Sequence, residues 1–91
     1  MRGMVRRTVY YSGRVQGVGF RYTACHISAS FEVVGYVRNL SDGRVQLVAE
    51  GECEELDRFF SEVESHLGSH IRDSQISESD ATSEFEGFKI C

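Results

Sequence analysis

The residues with the most chemical promise stand in one stretch, Gly13-Arg-Val-Gln-Gly-Val-Gly-Phe-Arg21. Gly13, Gly17 and Gly19 permit backbone conformations that side chains forbid. A loop of this kind can turn consecutive N–H groups inward as an anion nest, and a helix start behind it adds positive potential. Arg21 falls in the first turn of such a helix, where a guanidinium can grip a phosphoryl group through two parallel hydrogen bonds. Glycine loop, helix start and arginine would together cradle a phosphate. Taken alone, the glycines fit an ordinary turn as well, and Arg21 an exposed helix arginine. The stretch is no known nucleotide loop. A P-loop needs Gly-Lys-Ser/Thr, and no lysine occurs before Lys89. The glycine spacing also misses Gly-x-Gly-x-x-Gly.

Other reactive groups form no recognisable constellation. Cys25, Cys53 and Cys91 are too widely spaced for a zinc pattern, so free thiols are expected, with a Cys25–Cys53 bridge as the alternative. His66 and His70 lie four apart, but Gly68 between them ends the helix and no third ligand offers itself. They are expected at the surface, with no metal and no cofactor. No Ser-His-Asp set or carboxylate pair can be argued.

The charge is uneven. Residues 1–31 hold Arg2, Arg6, Arg7, Arg14 and Arg21 and no acid, whereas residues 32–91 hold five basic residues and all fourteen acids. An anion would be drawn to the first third. Arg2, Arg6 and Arg7 are expected to be merely solvated. The acidic remainder argues against nucleic acid as the main partner. No apolar run approaches the roughly 20 residues of a membrane span, and no signal-peptide pattern follows the basic start. A cytoplasmic protein is expected.

The elements that must position the loop are legible in outline. The 91 residues suit one domain, 1–91, with no linker, repeat or proline. Thr8–Ser12 reads as a strand. Phe20, Ala24, Ile27 and Phe31 share one helix face. Val33–Leu40 reads as a second strand, followed by the turn Ser41-Asp42-Gly43. Arg44–Gly51 alternates, with Val45, Leu47 and Ala49 inward and Arg44, Gln46 and Glu50 outward, so a half-buried strand is expected. Leu56, Phe59, Phe60, Val63 and Leu67 mark the strongest helix, acidic at its start and stopped at Gly68. Ile71–Ser77 is a poorly patterned strand, the stretch to Glu86 an exposed loop, and Phe88–Ile90 a short last strand. This order predicts an α+β, ferredoxin-like split βαβ sandwich, an antiparallel sheet with two helices on one face. That architecture hosts many functions and settles none.

The whole string from Gly13 to Arg21 resembles the signature of the acylphosphatase family. A second segment, Gly35-Tyr-Val-Arg-Asn39-Leu-Ser-Asp-Gly43-Arg-Val45, resembles the family's second motif, and the likeness extends to Phe88-Lys-Ile90. The chain departs from the family at Phe31-Glu32-Val33 and at Gly68-Ser69, both away from the loop. The resemblance implies hydrolysis of acyl phosphates, the mixed anhydrides of carboxylic and phosphoric acid, to carboxylate and inorganic phosphate. It implies that the amides of Val15, Gln16, Gly17, Val18, Gly19 and Phe20, with Arg21, bind the phosphoryl group. It also implies that Asn39 positions the attacking water. By itself, Asn39 would read as a common residue at a strand end beside a turn.

Few groups would suffice for this reaction. A carboxylate leaves without protonation, so no general acid is needed. Phosphoryl transfer then rests on positioning and on stabilising the equatorial oxygens. Inorganic phosphate and sulfate are expected as competing anions, and the enzyme as a free-standing monomer. Two other readings stay open. A phosphate-binding module without turnover would keep the loop. A ferredoxin-like RNA-binding domain would need stacking aromatics on its central strands, and Arg44–Glu50 has none.

Overall fold

The computed structural model describes residues 3–91, so Met1 and Arg2, one of the arginines expected to be solvated, lie outside the described residues. Strand β1 (Met4–Gly13) leads through the glycine loop into helix α1 (Phe20–Ser28). Strands β2 (Val34–Asn39) and β3 (Val45–Glu52) form a hairpin, and α2 (Cys53–Leu67) follows at once. A 3₁₀ turn (Gly68–His70), β4 (Ile71–Asp80) and β5 (Phe88–Ile90) complete the order. Every expected element is present. β1 begins earlier than Thr8 because its backbone pairs with β3 from Met4 and with β4 from Val5.

The five strands lie in the order β4-β1-β3-β2-β5. The β1–β3, β1–β4 and β2–β3 pairs are antiparallel, as expected, whereas β5 runs parallel to β2. The sheet is therefore mostly antiparallel. Both helices pack on one face. Val9 and Tyr11 of β1, Val37 of β2, and Val45, Leu47 and Ala49 of β3 meet Ala24 and Ile27 of α1 and Leu56, Phe59, Val63 and Leu67 of α2. Phe59 is fully buried between the layers and makes edge contacts with Phe31, Phe60 and Phe88. A side chain buried in this way contributes about 2–3 kcal/mol.

The opposite face differs from expectation. Gln46 and Glu50 were placed in solvent by the alternation of β3, yet they are 7% and 2% exposed. The segment after β4 crosses this face and seats on Glu50. Its carboxylate accepts hydrogen bonds from the Thr82 amide (2.9 Å), the Ser83 amide (3.0 Å) and Arg6 Nε (2.9 Å). Phe85 completes the cover, edge-on to Tyr36 and beneath the Arg6 guanidinium. Burial opposes ionisation of Glu50, but the Thr82 amide, Arg6 and the Ser83 amide outweigh it and hold the carboxyl below the usual carboxylate range. Gln46 accepts from Arg38 Nε and donates to the Tyr10 hydroxyl.

Arg6 and Arg7 are likewise not simply solvated. Arg6 pairs with Glu50 and Glu84, and Arg7 with Asp57 and Glu78. The expected excess of positive charge in the first third is thus largely neutralised at the start of β1.

Candidate active site

The pleat decides where Asn39 points. Gly35, Val37 and Asn39 alternate with Tyr36 and Arg38, and the cross-strand partners of Gly35 and Val37, Ala49 and Leu47, are core residues. Asn39 therefore faces the helix layer, but it is the last residue of β2, where the apolar core gives out. Parallel pairing puts the C-terminal end of β5 beside it, with Val37 opposite Ile90. The amino end of α1 closes the same corner. Three chain ends thus meet around one cleft.

That cleft, of 240 Å³, is lined by Val15, Gly17, Gly19, Phe20, Arg21, Tyr22, Asn39 and Ile90. Gly17 and Gly19 have φ of 78° and 80°, the left-handed region that a Cβ makes costly. Gly19 caps α1, and its carbonyl accepts the first intrahelical bond from the Thr23 amide at 2.9 Å. The amides just after it have no intrahelical acceptor, as at any helix start. No side chain caps them. They remain available to an anion.

Phe20 fixes this corner to the core. It is 2% exposed and its ring lies 5.2 Å from that of Tyr11, the residue that ends the buried run of β1. The Tyr11 hydroxyl donates to Glu64 of α2, and burial together with Glu64 pushes its pKa far up. Both ends of the glycine loop are thereby anchored in apolar packing, which leaves the loop itself free to adopt its left-handed turns.

The residues expected in the cradle separate into two groups. Val15, Gly17, Gly19, Phe20, Arg21 and Asn39 line the cleft. Gln16 and Val18 do not. Val18 packs against the core. The Gln16 side-chain amide donates to the carbonyls of Leu40 (2.8 Å) and Arg44 (2.9 Å). It ties the loop to the turn that follows Asn39. That turn is closed by Leu40 N–H to Arg44 C=O at 2.8 Å and by Arg44 N–H to Asp42 at 3.1 Å. The Arg44 amide, with its guanidinium, holds the Asp42 carboxyl below its ordinary pKa.

Two polar groups in the cleft lack the partners that usually occupy them. Arg21 donates from Nη1 to the main-chain oxygen of Cys91 at 3.0 Å and pairs with no Asp or Glu side chain among the described residues. Asn39, half-buried, makes no side-chain hydrogen bond to a described residue. An arginine with free donors, open amides and an uncommitted carboxamide can take a tetrahedral anion and a water together. Tyr22 and Ile90 also line the cleft and were not among the expected site residues. Ile90 entered only as part of the closing Phe88-Lys-Ile90 match, and Tyr22 follows no motif spacing that would have marked it.

No cluster of three His, Cys, Asp or Glu side chains suited to a metal occurs among the described residues. Cys25, Cys53 and Cys91 are free thiols. No helix among the described residues is long and apolar enough to cross a membrane.

Comparison with known proteins identifies the family. Residues 7–90 match the acylphosphatase family profile. The chain is 38% identical to an acylphosphatase of Paenarthrobacter aurescens over 94% of its own length and 93% of that protein. It is 48% identical to an acylphosphatase of Archaeoglobus fulgidus over 68% of its length and 70% of that protein. The crystal structure of acylphosphatase from Bacillus subtilis superposes with a TM-score of 0.85 at 30% identity, covering 96% of this chain and 98% of that one. The chain belongs to the acylphosphatase family, hydrolases that act on the mixed anhydride of acyl phosphates.

Proposed function

We propose that the chain hydrolyses acyl phosphates with Arg21 and the loop amides as the phosphoryl clamp and Asn39 as the group that positions water. The observation that carries this reading is the meeting of an arginine without a side-chain carboxylate partner and an uncommitted asparagine amide in one glycine-lined cleft. Arg21 and the amides around Gly17, Gly19 and Phe20 stabilise the charge on the equatorial oxygens. Asn39 holds a water in line with the bond to be broken. The water oxygen bonds to phosphorus, the bond from phosphorus to the acyl oxygen breaks, and the carboxylate departs with its electron pair. The proton of the water passes to a phosphate oxygen. Neither a metal nor an organic cofactor takes part on this reading, and the protein works as a cytoplasmic monomer.

Assay of acetyl and benzoyl phosphate hydrolysis after exhaustive chelation tests it, with inorganic phosphate titrated as inhibitor. Full activity under chelation and competitive inhibition are expected. Loss of rate restored by magnesium would overturn metal independence. Phosphate binding at the residue 15–21 amides without turnover would make this a binding module.

A further inference from the structure

Met4, Tyr22, Ile76 and Ile90 are the large apolar side chains exposed among the described residues, and two of them, Tyr22 and Ile90, meet at the cleft. Single exposed apolar residues are ordinary. Two that converge from separate elements on the rim of a polar cradle are a different case, because each keeps the other's neighbourhood apolar.

The fold explains why both are uncovered. Ile90 points to the same face as Phe88, which packs on Phe59 in the core. The helix layer stops at the amino end of α1, so Ile90 emerges beyond it at 43% exposure. Tyr22 follows Arg21 in the first turn of α1 and is 75% exposed. Among the residues lining the cleft, Gly17, Gly19, Arg21 and Asn39 supply the polar groups, Val15 and Phe20 are buried, and Tyr22 and Ile90 are the apolar side chains exposed at its rim. A phosphoryl group held on the floor must direct its substituent toward the mouth.

We propose that Tyr22 and Ile90 form an acyl-group subsite that selects acyl phosphates with an apolar, flat acyl group over those with a small one. The inference rests on the hydrolase reading above. A phenyl ring lodged there would cover both side chains, while a methyl group would reach neither fully. Tyrosine suits the task because its ring offers a rigid apolar face and its hydroxyl tolerates water at the edge.

The test compares kcat/KM for benzoyl and acetyl phosphate in the wild type, Tyr22→Ser, Ile90→Ser and Ile76→Ser. Phenylphosphonate and methylphosphonate serve as unreactive binding probes. The benzoyl-to-acetyl ratio should fall about tenfold in Tyr22→Ser, the low end of what one apolar substrate contact supplies, and by a smaller factor in Ile90→Ser. The affinity advantage of phenylphosphonate should fall with it. Ile76→Ser removes an apolar side chain of exposure between those of Tyr22 and Ile90 from β4, away from the cleft, and should leave both ratios unchanged. Ratios unaltered in Tyr22→Ser and Ile90→Ser would overturn the subsite. If the wild type hydrolysed neither substrate, the hydrolase reading would fall, and the phosphonate pair would still decide the subsite by whether its affinity ratio depends on Tyr22.

Discussion

Arg6 and Arg21 stand near the starts of successive elements, β1 and α1, and the protein treats them in opposite ways. Arg6 meets two carboxylates: buried Glu50 at 2.9 Å and Glu84. Arg21 meets no side-chain carboxylate among the described residues and donates only to the main-chain oxygen of Cys91. The hydrogen bonds and charges of Glu50 and Glu84 outweigh desolvation and raise the pKa of Arg6 further. Positive charge in the described part of the first third therefore divides into a neutralised part at Arg6 and Arg7 that holds the fold together and an open part at Arg14 and Arg21, of which Arg21 faces the cleft. A count of arginines overstates the field an approaching anion meets. What it meets among the described residues is Arg14 and Arg21, which no side-chain carboxylate neutralises, and of the two Arg21 lines the cleft.

The largest expected effect falls on the open side. Arg21→Lys keeps the charge and loses the planar fork, so kcat/KM for an acyl phosphate should drop by about a hundredfold or more with the melting temperature unchanged. Arg6→Lys should do the reverse, lowering the melting temperature with kinetics intact. Steady-state kinetics and thermal melts of the two variants check the division. Near-normal turnover by folded Arg21→Lys would abolish it.

Asn39 gives the next effect and separates water positioning from base catalysis. Asn39→Ala should lower kcat with little change in substrate affinity. Asn39→Asp supplies a base but places a negative charge beside an anionic transition state. At about 5 Å and an effective dielectric of about 20 that repulsion is roughly 3 kcal/mol, about a hundredfold in rate. The aspartate variant should be no faster than the alanine variant near pH 7. A clearly faster aspartate variant would make proton removal the limiting event.

Glu50 tests the neutralised side. In Glu50→Gln the NH₂ group must take the place of Oε1, which accepts from the Ser83 amide, or of Oε2, which accepts from the Thr82 amide and Arg6 Nε, so it faces a donor either way. A cost of about 2 kcal/mol is expected, or a fall of about 10 °C in melting temperature. The folded-state pKa of Glu50 lies below its unfolded value. Its contribution is therefore complete above the unfolded pKa of about 4.3 and is lost as pH falls through the folded value. The stability gap between wild type and Glu50→Gln should be constant from pH 7 to about 5 and should shrink below about 4. A gap that widened on acidification would contradict the ion pair.

These differences also mark how far the sequence could be read. Alternation in β3 correctly assigns Val45, Leu47 and Ala49 to the core face, because periodicity reports which face a residue takes. It is silent on what covers the other face, so the burial of Glu50 beneath Thr82 and Ser83, and of Gln46 between Arg38 and Tyr10, was not legible. β4 carries a weak pattern because it is an edge strand, exposed along nearly its whole length and held by backbone pairing to β1. The parallel direction of β5 cannot be read from Phe88-Lys-Ile90, since three residues do not reveal a crossover. At the cleft, Arg21 and Asn39 stood out through motif resemblance. The bonds from Gln16 to Leu40 and Arg44 join residues distant in sequence, and an exposed tyrosine after an arginine carries no spacing signal.

The smallest effect belongs to Arg7, whose two partners share its charge. Its guanidinium donates to Asp57 at 2.7 Å and to Glu78 at 3.0 Å, and its side chain is only 12% exposed. Asp57 is 66% exposed, so water already competes for its oxygens. In Asp57→Asn a neutral side chain can still accept from Arg7, and Glu78 continues to balance the charge. Exposed pairs contribute about 0.2–1 kcal/mol, and a shared one belongs at the low end. The melting temperature should therefore fall by about 2 °C at low salt, and the difference should vanish near 1 M salt, where the Debye length is about 3 Å. Glu50→Gln should keep most of its deficit at the same salt, because burial shields that pair from ions. Equal salt sensitivity in the two variants would show that the Arg6 and Arg7 networks are alike, and that burial of Glu50 does not set them apart.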